Sequence, residues 1–321
     1  MRFDLNGEWL MTDALGEKTT GRIPGSVYSF LLDAGKMEDP YYRDNELTSL
    51  KLMDQDYTFS RTFEAGEEIC GSDHVILRFD GVDTIADIFL NGTFLGHTDN
   101  MHMYWEYDVK EILHPGENEL RVELKSPTKF IAQADAEYHL GGSTDAMVGF
   151  PHLRKAPCMF GWDWGPRLPD MGIWKDVYLF AWNAARIEDI HIRQKHFLSD
   201  GTLAMAAAAH CSEAKDGKIQ VEVCVNVTTS AQTPVQISLE SPDGEVWNLE
   251  NHASFKVPSP KLWWPNGLGE QPLYTVRVCI DGEEQEKRIG LARSAACWAV
   301  IRSPGSPWGG RFSALSEKGP S

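Results

Sequence analysis

The sequence has no apolar run near the roughly 20 residues a bilayer-spanning helix needs, so a helical membrane protein is not expected. Basic residues are scarce. Lys and Arg number 30 against 47 Asp and Glu, giving a formal charge of −17. Such a surface repels phosphate backbones and anionic lipid, so neither nucleic acid nor membrane is an expected partner. Cysteine is sparse as well. Cys70, Cys158, Cys211, Cys224, Cys279 and Cys297 form no CxxC pair and read as free thiols of a reducing, cytoplasmic compartment. Met1–Trp9 alternates polar with apolar residues and has no charged n-region before an apolar stretch, so no signal peptide is predicted. The acceptor patterns Asn91-Gly92-Thr93 and Asn226-Val227-Thr228 are then expected to be idle. GxGxxG, the P-loop, HExxH and GxSxG are all missing, and His97/His102 and His191/His196 have no metal-binding context. No cofactor and no metal are expected.

What remains is a loop-rich β protein. The 321 residues suit two domains, and 28 Gly with 17 Pro supply frequent turns. Residues 1–182 carry alternating segments typical of half-buried strands: Val75, Leu77 and Phe79; Leu120, Val122 and Leu124; Val177 and Leu179. Ile85–Leu90 runs into Asn91-Gly92, a strong hairpin signal, and Thr93-Phe94-Leu95 begins the return strand. Two short helices are predicted. One is capped by Ser26, with Val27, Phe30 and Leu31 on one face. The other opens at Ser126-Pro127, with Phe130, Ile131 and Ala134 on its buried side.

Residues 183–291 hold longer alternations at Ile219–Val227, Val235–Leu239 and Tyr274–Ile280. With turns at Asp200-Gly201, Asp216-Gly217, Asp243-Gly244 and Asp281-Gly282, this predicts an immunoglobulin-like sandwich. Cys224 and Cys279 fall on the polar faces of their strands, so no disulfide crosses its core. Residues 292–321 differ: 6 Ser, 4 Gly and 3 Pro, a charge of +3 against −20 for the rest, and no strand or helix period. They read as a disordered tail or a foreign reading frame.

The 11 Trp residues are costly unless buried or set against a planar or sugar-like ligand. The densest cluster is Phe160-Gly161-Trp162-Asp163-Trp164-Gly165-Pro166-Arg167. Trp162 and Trp164 can stack on a sugar face while Asp163 accepts hydrogen bonds from hydroxyls. Equally, the indoles can plug the rim of a sandwich while Asp163 caps a turn or pairs with Arg167. A second cluster, Lys261–Tyr274 with Trp263-Trp264-Pro265, reads as aromatics anchoring a long loop. Gly141-Gly142-Ser143-Thr144 lacks the lysine of a phosphate loop and reads as plain loop.

These segments, in order, resemble the N-terminal part of a β-mannosidase of glycoside hydrolase family 2. The resemblance is carried by Leu5-Asn6-Gly7-Glu8-Trp9, Ile23–Tyr28, Asp56–Arg61, Phe79–Thr84, Asn91-Gly92, Gly161–Pro166, Met171–Val177, Trp263–Gly267 with Gln271–Tyr274, and Lys287–Leu291. It covers residues 1–291. It implies an all-β chain with a jelly-roll sugar-binding-like sandwich followed by an immunoglobulin-like β-sandwich. It also implies retaining hydrolysis of terminal, non-reducing β-D-mannose, with a β-mannoside carbohydrate as substrate. In that family a TIM barrel follows and carries both catalytic glutamates. Thirty residues leave no room for one, so no catalytic residue is assigned. The chain alone is expected to be inactive, a partner for a separate or missing barrel. What carries over is Asp163 as a contact to the terminal mannose, with Trp162 and Trp164 beside it.

Overall fold

The structure is a computed structural model that describes residues 1–197, 219–267, 269–280 and 283–292. It divides into two compact units, Met1–Asn183 and a second beginning at Ala184. The turns expected at Asp200-Gly201, Asp216-Gly217 and Asp281-Gly282, Cys211, Cys297 and residues 293–321 lie outside the described residues.

The first unit runs β1 (Arg2–Asp4), β2 (Gly7–Thr12), β3 (Lys18–Ile23), β4 (Gly25–Ser26), α1 (Val27–Asp33), α2 (Asn45–Leu52), β5 (Tyr57–Ala65), α3 (Glu67–Cys70) and β6 (His74–Phe79). It continues through β7 (Ala86–Leu90), β8 (Thr93–Thr98), β9 (Trp105–Asp108), β10 (Gly116–Leu124), α4 (Pro127–Glu137), β11 (Phe160–Trp162), β12 (Gly165–Arg167), β13 (Gly172–Ile173) and β14 (Val177–Trp182). Two antiparallel sheets dominate, ordered β1-β14-β6-β9 and β3-β2-β5-β10-β7-β8. Their inward residues alternate as the sequence predicts. Val75, Leu77 and Phe79 share one buried core with Phe59, Leu120, Val122 and Leu124. Phe30 of α1 stacks on Phe59 at 4.9 Å between centroids, so the helix closes over the sheet. Gly21 makes this possible, because a Cβ there would stand 2.4 Å from the Phe30 ring. Asn91 and Gly92 both take positive φ, as a two-residue hairpin requires.

Ser26 caps α1 through its side chain, and Ser29 answers in a capping box. Ser126 caps α4 with Pro127 at its first turn. One expectation for α4 fails. Phe130 is exposed, and the buried line is Pro127, Thr128 and Ile131. The loop after α4 lies against Ile131 and Asp135, where Gly149 fits at φ +84 with no room for a Cβ. Phe130 is a residue out of step with that line.

The second unit comprises β15 (Ile187–Phe197), β16 (Gln220–Thr229), β17 (Gln236–Glu240), β18 (Val246–Leu249), β19 (Ser254–Val257), β20 (Tyr274–Ile280) and β21 (Glu283–Ile289). Sheets β15-β16-β19 and β18-β17-β20-β21 share a core of Val221, Val223, Val225, Ile237, Leu239, Tyr274, Val276 and Val278. This is the immunoglobulin-like sandwich that the alternation predicts. Cys224 and Cys279 are free. The Trp263-Trp264 loop is anchored as expected. Trp263 N–H donates to the Leu291 carbonyl at 3.1 Å, Trp264 N–H to that of Glu270 at 2.9 Å, and Gly290 and Gly269 each lie flat against one indole.

Candidate functional site

Between α4 and β13 the chain leaves the two sheets and folds back on itself. At the far end of this excursion β11 and β12 pair as a short hairpin, Phe160 opposite Arg167 and Trp162 opposite Gly165. Asp163 and Trp164 form its turn. The three predicted site residues are therefore brought together at one tip. Trp162 is 40% exposed and Trp164 80% exposed, with ring centroids 5.2 Å apart and planes at 49°. Neither indole plugs a rim. Asp163 is exposed, and among the described residues it has no hydrogen-bond or ion-pair partner, so it neither caps the turn nor pairs with Arg167. Arg167 instead lays its side chain across Gly161, which sits at φ +94 and has no space for a Cβ. A free carboxylate between two tilted indoles can accept hydroxyl hydrogen bonds while a ring presents an apolar face.

The base of the hairpin is held more firmly than its tip. Phe160 is fully buried with Ile85, Ile131 and Leu153. Met147 N–H donates to the Phe160 carbonyl at 3.0 Å, and Leu168 N–H to that of Met159 at 2.9 Å. From α2, a helix without a side-chain cap or a clear apolar stripe, Glu46 Oε1 accepts from Arg167 N–H at 3.0 Å.

Beneath lies a buried charged cluster that the sequence pattern does not announce. The Lys155 ammonium is fully buried. It donates to Asp83 Oδ2 and, at 2.5 Å, to the Asp170 carbonyl. Asp83 also accepts from the Thr84 hydroxyl. Burial lowers the Lys155 pKa, and the Asp83 carboxylate opposes that. Asp170 Oδ1 accepts from Tyr28 N–H at 3.1 Å and Met171 N–H at 2.8 Å. Burial nevertheless pushes its carboxyl up to about 6, outweighing those bonds and the nearby Lys155.

That value sets a pH dependence. The folded pKa lies above the unfolded one of about 3.9, so folding favours the protonated form. The stability this adds is complete below pH ~4 and is lost as pH rises through about 6. The full span is on the order of 2–3 kcal/mol. Asp170→Asn keeps an acceptor for both N–H groups without the charge. It is expected to flatten the thermal midpoint between pH 4 and 8 and to raise it above pH 6. Parallel pH-dependent slopes in melts of the two proteins would contradict this.

A cleft of about 340 Å³ lies elsewhere on this unit, lined in part by Met11, Leu31, Lys36 and Tyr57. Its polar groups satisfy one another. Lys36 donates to Thr19 Oγ1 at 2.9 Å, and Gln55 to Tyr57 Oη at 2.7 Å. It offers a ligand less than the hairpin tip does.

The family model for the glycosyl hydrolase 2 galactose-binding domain-like fold matches residues 9–175, just over half of the chain, and that for glycosyl hydrolases family 2 matches residues 185–291. The chain belongs to glycosyl hydrolase family 2. Within that family it is similar to a β-mannosidase of Mus musculus, 29% identical over 295 residues, covering 87% of this chain and 33% of the relative. It is also similar to β-mannosidase B of Emericella nidulans, 30% identical over 279 residues, covering 84% and 32%. Among solved structures, the β-D-mannosidase of Dictyoglomus thermophilum superposes with a TM-score of 0.74 at 30% identity, covering 91% of this chain and 36% of that one. A β-glucuronidase from an uncultured Clostridium shares the fold at 18% identity and a TM-score of 0.58. The chain thus spans about a third of the length of the curated relatives it matches. The two family 2 matches fall one on each β unit, and no barrel lies among the described residues.

Proposed function

We propose that this chain is the substrate-holding part of a β-mannosidase, which hydrolyses terminal, non-reducing β-D-mannose with retention. The hairpin Trp162–Trp164 grips the terminal sugar, Asp163 accepts from its hydroxyls, and an indole packs against the ring. The carboxylates that break the bond belong to a barrel outside the described residues, and the tip faces that partner. The observation that carries this reading is the exposed, unpartnered Asp163 carboxylate between two exposed indoles, on a rigidly based hairpin. The similarity to β-mannosidases supports mannose over other sugars. The first unit is read as a jelly roll on the same grounds.

Calorimetric titration of the 321-residue chain with mannose and β-linked manno-oligosaccharides tests it. Saturable binding on the order of millimolar is expected, about 4 kcal/mol, and Asp163→Ala is expected to abolish it. Heats equal to buffer dilution, or binding indifferent to Asp163→Ala, would reject the role of the hairpin. Release of chromophore from an aryl β-mannoside is expected to be absent. Turnover that Asp163→Ala abolishes would place the chemistry in this chain and overturn the division of labour. A second reading, a carbohydrate-binding module with no catalytic partner, is favoured by the two β units alone. It predicts binding that a separately supplied barrel does not convert into turnover.

A further inference from the structure

We propose that Lys155 is a positioning residue for the sugar-holding hairpin, acting as a side-chain staple that closes the excursion bearing Trp162, Asp163 and Trp164. The inference rests on the sugar-holding reading for its consequence and on geometry for its substance. Lys155 stands where the chain enters the final part of the excursion, and Asp170 stands where it leaves. The Lys155 ammonium donates to the Asp170 carbonyl at 2.5 Å, so one side chain ties the entrance to the exit. Its other bond, to Asp83, fixes this tie to the body of the unit. Asp83 and Gly172 exchange two backbone hydrogen bonds of 2.8 Å immediately beyond the exit.

Residues 156–169 are otherwise tied to the body by Ala156 N–H on Met101 Sδ at 3.0 Å, Met147 N–H on the Phe160 carbonyl at 3.0 Å and Arg167 N–H on Glu46 at 3.0 Å. The pair β11–β12 is short, and α2 bonds to it through Glu46. Among the described residues the side chains of the tip have no partner beyond the contact between its own two rings. Without the staple each end keeps its own anchor, Met101 N–H on the Arg154 carbonyl at the entrance and Tyr28 N–H on Asp170 with the Asp83–Gly172 pair at the exit, but the bond that joins one end to the other is lost. A sugar contact made by one carboxylate depends on its placement to a fraction of an ångström, and a loosened loop must be ordered on binding. A merely structural ion pair would be replaceable by any neutral pair that restores overall stability. A staple would not, because the bond to the Asp170 carbonyl needs the ammonium.

The test compares the full chain with Lys155→Met and with Asp83→Asn/Lys155→Met, read by peptide-resolved hydrogen exchange, thermal melting and titration with mannobiose. The double variant relieves the stranded Asp83 charge and keeps the fold assessable if the single one melts. In both variants, amides of Met147, Leu168 and the β11–β12 strands are expected to exchange at least 10-fold faster than in wild type. In the double variant, amides of β5 and β10 are expected to stay within 3-fold of wild type. Sugar affinity is expected to fall at least 5-fold in the double variant even where its melting midpoint recovers. Hairpin protection or affinity that recovers with the midpoint would overturn the proposal, as would protection unchanged in the single variant. Asp163→Ala separates this from the sugar-holding reading, since it should leave exchange untouched. A flat wild-type titration would overturn that reading, and hydrogen exchange alone would then decide the staple.

Discussion

Replacing Trp9 by alanine is expected to destabilise the first unit by about 3–5 kcal/mol, whereas Trp164→Ala should change stability by less than about 0.5 kcal/mol. The contrast follows from where each indole is spent. Trp9 lies on β2 and is 1% exposed, in the core with Met11, Phe59 and Phe30. Its Nε1–H donates to the Leu5 carbonyl at 2.9 Å, an oxygen that also accepts from Arg61 at 2.8 Å. Truncation opens a cavity where β1 turns into β2 and removes one of those two bonds. Trp164 lies at a hairpin tip, 80% exposed, and touches Trp162 alone among the ring contacts. Chemical denaturation followed by far-UV circular dichroism checks both. A Trp164→Ala loss as large as that of Trp9→Ala would mean the tip is packed in solution, and would remove the reason to treat it as a binding surface.

The same two residues show what the sequence made legible. Trp9 and Trp164 are the same letter, and composition alone assigns neither. Alternation marked β6, β10, β16 and β20 because each has one face on a core, and burial imposes a period of two. The Ser26 and Ser126 caps were visible because a cap is a local hydrogen bond between residues three apart. The Trp162–Trp164 cluster stood out because glycine and proline bracket it. Helix α2 did not, since it has little apolar periodicity and its Asp44 makes no side-chain cap. Phe130 falls off the buried line because the loop after α4 lies against Ile131 and Asp135 while Thr128 bonds Met53 and Asp54, tertiary choices invisible to propensity. The least legible feature is the Lys155 cluster. Asp83, Lys155 and Asp170 are far apart in the chain, and each alone looks like surface charge. Only the fold makes them meet, and no period or spacing encodes a long-range ion pair.

Asp83→Ala should rank with Trp9→Ala, costing about 3–5 kcal/mol by leaving a buried cation without its anion. The wild-type ammonium of Lys155 is fully buried and has two acceptors, the Asp83 carboxylate and the Asp170 carbonyl. Removing the first leaves a neutral oxygen to offset a full charge. The loss should depend on pH with a definite sign. Burial already holds the Lys155 pKa below its usual value with Asp83 in place. Without Asp83 it falls further, so the folded variant binds fewer protons than the unfolded chain. Stability of Asp83→Ala should therefore rise with pH, toward the unfolded lysine value of about 10.4. The double variant Asp83→Asn/Lys155→Met should recover most of the loss at neutral pH, since replacing both members of a buried pair is often close to neutral. Urea denaturation of the wild type and the two variants at pH 6, 7.5 and 9 separates these terms. A deficit for Asp83→Ala that stays constant across that range would mean that Lys155 keeps its proton once Asp83 is gone, its ammonium reaching water or another acceptor.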